Sequence, residues 1–162
     1  MKQLSVLFVC SQNRCRSIAA EGIFRYIARE TQTPCQLDSA GLDAQAGLPA
    51  EKAICEAAAL RGYDFSTLRS RALVADDYHC FEYILASDQD TQRGILKRAP
   101  SSYPAHIALL MSYAVFFSGK KNIAYPCSAK PEDFFLMLDC IEDACLGFFH
   151  VAVQGRQAQR GS

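Results

Sequence analysis

The sequence predicts a single three-layer α/β domain, in which helices cover both faces of a four-stranded parallel sheet. An apolar, β-rich run at residues 4–9 is typical of a strand that is buried on both faces. Further strand-like segments alternate with segments of helical spacing, which favours parallel pairing through helical crossovers. The chain has 162 residues, half of them apolar, which is enough for one sizeable core.

In the first half of the chain, hydrophobic spacing and chain-breaking residues define three elements after the first strand. Residues 17–30 carry apolar side chains at helical spacing, and Pro34 breaks that helix. Residues 36–39 are predicted to form a short second strand. The alanine-rich segment 50–61 is predicted to be a helix that stops at Gly62.

In the second half, a third strand is predicted at 81–86 and a short helix at 88–97. A fourth strand is predicted at 107–110, and residues 111–117 suit an extension of either a strand or a helix. A stripe of apolar side chains predicts a last, long helix at 132–149.

This order of elements predicts a Rossmann-like or flavodoxin-like architecture. We expect one domain at 1–153, a loop with two prolines at 122–131, and a polar, frayed tail at 154–162. In such folds, ligands bind beyond the carboxyl ends of the strands.

Charge and cysteine usage restrict the classes of function. Lys plus Arg and Asp plus Glu are 17 each, and this balance argues against non-specific nucleic-acid binding. The apolar run near the N-terminus is too short for a signal peptide or a membrane segment, so we expect a cytoplasmic protein whose eight cysteines are free thiols. No CxxC pair occurs and the three histidines lack ligand spacing, so neither a metal nor another cofactor is expected.

The loop at residues 10–16 has the composition of an oxyanion site. It joins the first strand to the first helix, where successive backbone N–H groups and the helix N-terminus attract an anion. Arg16 suits bidentate binding of two phosphate oxygens, and the same groups favour the thiolate of Cys10, a nucleophile. Ser17 is placed to stabilise the sulfur as a leaving group, and Asn13 tolerates left-handed backbone. The predicted phosphate-binding residues are Ser11, Gln12, Asn13, Arg14, Cys15 and Arg16.

A simpler interpretation makes Cys10 an ordinary buried cysteine at the end of a strand. A Cys-x5-Arg spacing alone arises by chance quite often. Here the spacing follows an apolar strand and precedes a helix, which is the context that an oxyanion loop needs. The sequence therefore favours the oxyanion loop.

The motif at residues 6–17 resembles that of the low-molecular-weight protein tyrosine phosphatases. The resemblance extends through Ala20 and Glu21 and covers nearly the whole chain in order, with further matching segments at 39–41, 62–64, 69–71, 81–88 and 133–145. It implies a four-stranded parallel sheet and hydrolysis through a phosphocysteine intermediate. No cofactor is implied, and the implied partners are a phosphorylated protein or small aryl phosphate, with inorganic phosphate or a similar oxyanion in the loop.

Matching positions imply individual roles. Cys10 would be the nucleophile, Arg16 the phosphate clamp, and Asn13 and Ser17 supports of the loop. Cys15 would be a redox partner that forms a reversible disulfide with Cys10 and protects it from overoxidation.

The chain departs from the family pattern at the proton donor and at the walls of the site. Counting back from Asp133 places Tyr125 where the family has the general-acid Asp, and a phenol with a pKa of about 10 is a much weaker acid. Cys127 and Ser128 replace aromatic residues after that position, and the segment 42–45 lacks another one. Further replacements are Leu68 for a histidine that supports the loop asparagine and Ile18 for a proline.

Several other residues are candidates to replace the acid or to form parts of the site. Asp88, at the end of the third strand, is expected to cap the next helix and support the site, and Asp133 to cap the last helix. Asp43 lies in a loop that could swing in, and Arg14 suits either an acidic substrate or solvent. Arg69 and Arg71 are expected to brace loops, and His79, His106 and His150 to be surface or satisfied residues.

Three functions follow from these features. The first is a phosphatase for phosphotyrosine or aryl phosphates, weakened because the general acid is missing. The second is a pseudophosphatase that binds phosphate or a phosphoprotein without efficient turnover. The third, less favoured, is a thiol-coupled arsenate reductase, which needs a further redox pair; Cys80 is available, but position 87 is Ser87.

Overall fold

The computed structural model describes residues 3–128 and 130–161. The ends of the predicted domain and tail, at residues 1–2 and 162, lie outside the described residues, as does position 129 of the predicted proline-containing loop. Four strands form one parallel sheet in the order β2-β1-β3-β4. The strands are β1 (Leu4–Cys10), β2 (Cys35–Gly41), β3 (Tyr83–Ala86) and β4 (His106–Leu109).

Five α-helices accompany the sheet in the described part of the chain: α1 (Arg16–Glu30), α2 (Lys52–Leu60), α3 (Asp77–Cys80), α4 (Gln89–Arg98) and α5 (Pro131–Arg160). A 3-10 turn at Leu110–Tyr113 follows β4, so the apolar run there extends neither as a strand nor as an α-helix. The predicted three-layer α/β class is confirmed.

The sheet has a core on each face, which explains why every residue of β1 is buried. On one face, side chains of β1 such as Phe8 pack with Phe24 of α1 and Phe148 of α5. On the other face, Leu7 and Val9 pack with Ile95 of α4 and with the short α3 segment. A strand covered on both sides needs apolar residues at successive positions, as the sequence of β1 has.

Helix α5 is longer than predicted, because it continues through the expected start of the tail and ends at Arg160. The apolar stripe stops earlier than the helix, and Ala152 is the last buried residue on it. Polar residues beyond that point extend the helix without a core contact to reveal it in the sequence, so hydrophobic spacing underestimated its length. The boundary at 153 therefore does not coincide with the end of the helix.

Candidate active site

Cys10 is the last residue of β1, and its sulfur lies under the loop that leads into α1. The Asn13 backbone N–H donates to Cys10 Sγ at 3.2 Å, and Ser17 Oγ lies 2.9 Å from the same sulfur. Cys10 is only 3% exposed. The sulfur therefore faces two hydrogen-bond donors and stands at the carboxyl end of a central strand.

Asn13 holds the loop in shape. It has a positive φ of 55°, the left-handed conformation predicted for it. Its side chain is fully buried, donates to Ser17 Oγ at 2.8 Å and accepts from the Arg71 backbone N–H at 2.9 Å. The support that Leu68 cannot give thus comes from the backbone of Arg71, whose guanidinium bridges Asp38 and Asp77.

Arg16 opens α1 and is bound to Asp88 at the end of the next strand in the sheet. Its guanidinium donates to Asp88 Oδ2 at 2.5 Å and to the Ile123 carbonyl at 3.1 Å. The other Asp88 oxygen accepts the Thr91 backbone N–H at 2.7 Å and caps α4, as expected. Burial acts to raise the pKa of Asp88, but the hydrogen bonds from Thr91 and Arg16 outweigh it and hold that pKa below its usual value. Asp88 is therefore a carboxylate at neutral pH.

The loop lines a cavity of about 330 Å³ at the carboxyl edge of the sheet, where ligands bind in this class of fold. Arg14 also lines the cavity, and its Nε donates to the Pro49 carbonyl at 3.1 Å. This contact with the backbone differs from both expected roles, which were to attract an acidic substrate or to point to solvent. Among the described residues that line the cavity, Tyr125 is the single aromatic one. The lining residues are Cys10, Ser11, Gln12, Arg14, Cys15, Arg16 and Tyr125.

Residues 5–159 match the sequence profile described as low molecular weight phosphotyrosine protein phosphatase. This chain belongs to that family. It is 30% identical to a putative low molecular weight protein-tyrosine-phosphatase of Synechocystis over 88% of the chain and 92% of the relative. It is 33% identical to the low molecular weight protein-tyrosine-phosphatase YfkJ of Bacillus subtilis over 68% of the chain and 72% of that protein.

Solved structures of the phosphatase family share this fold. The protein tyrosine phosphatase of Entamoeba histolytica, solved with Hepes in its active site, superposes with a TM-score of 0.87 and 27% identity over 95% of this chain and 99% of that one. The YfkJ structure superposes with a TM-score of 0.85 and 28% identity over 96% of this chain and 98% of that one. The predicted family and fold are confirmed.

Tyr125, which the sequence predicts at the position of the family acid, is hydrogen-bonded to a carboxylate that the sequence did not indicate. Its hydroxyl lies 2.9 and 3.0 Å from the two carboxylate oxygens of Glu51 and donates to them. Burial, the hydrogen bond and the negative charge of Glu51 raise the pKa of Tyr125 to about 12. The two residues are 74 positions apart, and no local pattern in the sequence joins them. Tyr125 alone is therefore a poor acid.

The other candidate acids are held elsewhere. Asp43 is exposed, lies 3.4 Å from Arg98, and is not among the residues that line the cavity. Asp133 accepts a hydrogen bond from Ser128 and lines a neighbouring cavity of about 270 Å³. The expectation that it caps the last helix is wrong, because the N-cap of α5 is Lys130 and Asp133 lies inside the first turn.

The two cysteines considered for redox chemistry, Cys15 and Cys80, lie in different surroundings. Cys15 is buried, and its Sγ lies 3.8 Å from Met137 Sδ; burial and the charge of Glu51 raise its pKa. Cys80 is exposed and precedes β3, at the opposite edge of the sheet from Cys10. Within 3–128 and 130–161, no group of three or more His, Cys, Asp and Glu residues could hold a metal, and no helix is long and apolar enough to cross a membrane. The histidines, as expected, are surface residues: His79, His106 and His150.

Proposed function

We propose that this chain hydrolyses phosphotyrosine or other aryl phosphate monoesters through a phosphocysteine intermediate on Cys10. The placement of Cys10 Sγ carries the proposal, since it lies beneath an anion-binding loop at the end of a central strand. Family membership supports it, because the relatives are named as phosphotyrosine or protein-tyrosine phosphatases. The substrate is then a phosphorylated protein or a small aryl phosphate, and phosphate occupies the loop after hydrolysis.

The proposed roles follow from the contacts. Cys10 attacks phosphorus, and Ser17, 2.9 Å from the sulfur, stabilises it when it leaves. Arg16 binds the equatorial oxygens with the guanidinium N–H groups that Asp88 and Ile123 leave available. The backbone N–H groups of the loop complete the cradle, with Asn13 as its brace.

The test is hydrolysis of phenyl phosphate and phosphotyrosine by the native chain and by Cys10→Ser. We expect Cys10→Ser to fall to background, whereas Cys80→Ser, which removes an exposed thiol at the opposite edge of the sheet, keeps the native rate. Equal rates from the native chain and Cys10→Ser would refute the proposal.

A binding function without efficient turnover is the second candidate, and Tyr125 at the acid position favours it. Its raised pKa makes the phenol of Tyr125 a weak proton donor. If the native chain binds phosphate but turns over slowly, Tyr125→Asp should raise the rate by up to the order of 10²–10⁴ that a general acid supplies. A folded Tyr125→Asp variant that gains nothing would show that the chain already handles protons by another route.

Thiol-coupled arsenate reduction is less favoured. Cys80 is a poor redox partner, since it precedes β3 at the end of the sheet opposite Cys10, and the residue that follows β3 at the carboxyl end is Ser87. Arsenate-dependent consumption of thioredoxin would revive this function.

The eight cysteines are free thiols, which suits the proposed cytoplasmic location.

A further inference from the structure

Hydrolysis through a phosphocysteine moves one proton in each of two steps. The leaving oxygen needs a proton when the first P–O bond breaks, and water must lose one when it attacks the phosphocysteine. One carboxyl group can serve both steps, since it gives a proton in the first and regains one in the second. In this chain the nearby carboxylates Asp43, Asp88 and Asp133 are committed to other contacts, as described above.

Glu51 is the carboxylate that reaches the cavity, and it does so through Tyr125. Both Glu51 oxygens lie within 3.0 Å of the Tyr125 hydroxyl, and Tyr125 lines the same cavity as Cys10. The Glu51 backbone N–H donates to the Arg14 carbonyl at 2.9 Å, which fixes Glu51 directly to the phosphate loop. Its charge also raises the pKa of Cys15 in that loop.

We propose that Glu51 and Tyr125 form a proton relay that supplies the leaving group and activates water, a role that rests on the proposed phosphatase function. In the first step, Cys10 Sγ bonds to phosphorus, the P–O bond breaks with its electron pair on the leaving oxygen, and that oxygen takes the Tyr125 proton. Glu51 enters this step as the carboxylic acid that the preceding turnover leaves, and it returns its proton to the phenol oxygen in the same movement. The Glu51 carboxylate that accepts from the Tyr125 hydroxyl in the structure corresponds to the state between the two steps. Tyr125 therefore never carries a full negative charge, and its weak acidity does not block the reaction.

In the second step, water attacks phosphorus, the S–P bond breaks with its electron pair on sulfur, and one water proton passes to the Tyr125 oxygen. Tyr125 passes its own proton to Glu51, which is then ready for the next leaving group. The balance is one ester and one water consumed, and one alcohol and one phosphate released.

Thiol groups and charged side chains surround the Glu51–Tyr125 pair. Facing it from the loop are the Cys15 thiol, the Arg14 guanidinium, which is held on the Pro49 carbonyl, and Arg16. From the segment before α5, Cys127 lies near Tyr125 and its N–H donates to the Tyr125 carbonyl at 2.8 Å. On α2 itself, the exposed Lys52 lies 3.7 Å from Glu56, within that helix.

The decisive experiment compares two esters that differ in leaving-group basicity, phenyl phosphate and 4-nitrophenyl phosphate. We expect Glu51→Gln to lower kcat/KM for phenyl phosphate on the order of 10²-fold, the lower range for loss of a general acid. The loss for 4-nitrophenyl phosphate should be far smaller, because its leaving group needs little protonation. Tyr125→Phe should give the same pattern, and the double variant should be no worse than either single one, since both break one relay.

The matched control is Glu56→Gln, which removes an exposed carboxylate from the same helix and should leave both rates unchanged. A pH profile adds a readout that a purely structural role would not move. For phenyl phosphate, the pH profile of kcat/KM should change shape in Glu51→Gln, because that variant removes the carboxyl group of the relay; an unchanged profile would contradict the relay. Ultraviolet titration should show the phenol of Tyr125 ionising at lower pH in Glu51→Gln.

Failures of the two proposals are distinguishable. If the native chain hydrolyses both esters in a Cys10-dependent way but Glu51→Gln loses rate equally on both, the phosphatase function stands and the relay is overturned. Additive losses in the double variant overturn the relay as well. If the native rate equals that of Cys10→Ser, both proposals fall together.

Discussion

The pairing of Arg16 with Asp88 gives a prediction whose size can be worked from the structure. Asp88 uses one oxygen to cap α4 through Thr91 and the other to accept from Arg16 at 2.5 Å, so two substitutions separate the contributions. Asp88→Asn keeps an oxygen for the cap but loses the charge that binds Arg16. Asp88→Ala loses both.

The expected magnitudes follow from each contact. A hydrogen bond to a charged group is worth about 1.5–3 kcal/mol, and the side chains are 11% and 21% exposed, so solvent screens the pair partly and we expect about 2 kcal/mol from it. Loss of an N-cap costs about 1 kcal/mol. Asp88→Asn should therefore lower the free energy of unfolding by about 2 kcal/mol and Asp88→Ala by about 3 kcal/mol.

The pH dependence has a definite sign. The pKa of Asp88 is lowered in the folded chain, so its contribution is fully present above the unfolded value of about 3.9 and disappears as pH falls through the folded value. The difference in stability between the native chain and Asp88→Asn should accordingly be largest at neutral pH and shrink in acid.

Urea unfolding monitored by circular dichroism measures these differences. Asp90→Asn is the control, since Asp90 lies on the same helix, is 89% exposed and pairs with Arg93 in the same turn. We expect Asp90→Asn to change the free energy of unfolding by no more than about 0.5 kcal/mol. The reasoning is refuted if Asp88→Asn is as stable as the native chain at neutral pH, or if Asp88→Ala and Asp88→Asn do not differ.

Two further predictions concern packing and oxidation. A Cβ on Gly147 would lie 1.9 Å from a backbone carbonyl oxygen of the 3-10 turn, so Gly147→Ala should lower the free energy of unfolding in urea by about 1–3 kcal/mol. A Cβ on Gly155 of the same helix meets no atom within 4 Å, so Gly155→Ala should raise that free energy by up to about 1 kcal/mol. Equal effects of the two substitutions would contradict the packing argument. Because the pKa of Cys15 is raised, peroxide at neutral pH should form little Cys10–Cys15 disulfide, and the disulfide fraction measured by mass spectrometry should grow with pH. A disulfide yield independent of pH would show that ionisation of Cys15 does not limit the reaction.

Local sequence determined the parts of this protein whose physics is local. A run of apolar residues fixed the buried central strand, and the spacing from Cys10 to Ser17 indicated an anion loop, since a strand, a tight turn and a helix N-terminus are contiguous in the chain. Even the left-handed backbone of Asn13 follows from residue type and spacing. Element ends were less certain where no core contact marks them, as in the last turns of α5.

Tertiary structure decided the contacts between residues far apart in the chain. The order β2-β1-β3-β4 brings the end of β3 beside the loop, so Asp88 meets Arg16 across 72 residues. The same packing sets Glu51, at the start of α2, against Tyr125 before α5. A periodic pattern in the sequence cannot predict such a pair, because the position of each partner depends on the helix or loop to which it belongs. The order of the strands then sets where those helices and loops lie. The sequence therefore predicts where phosphate binds, and only the fold shows which carboxylate lies against Tyr125.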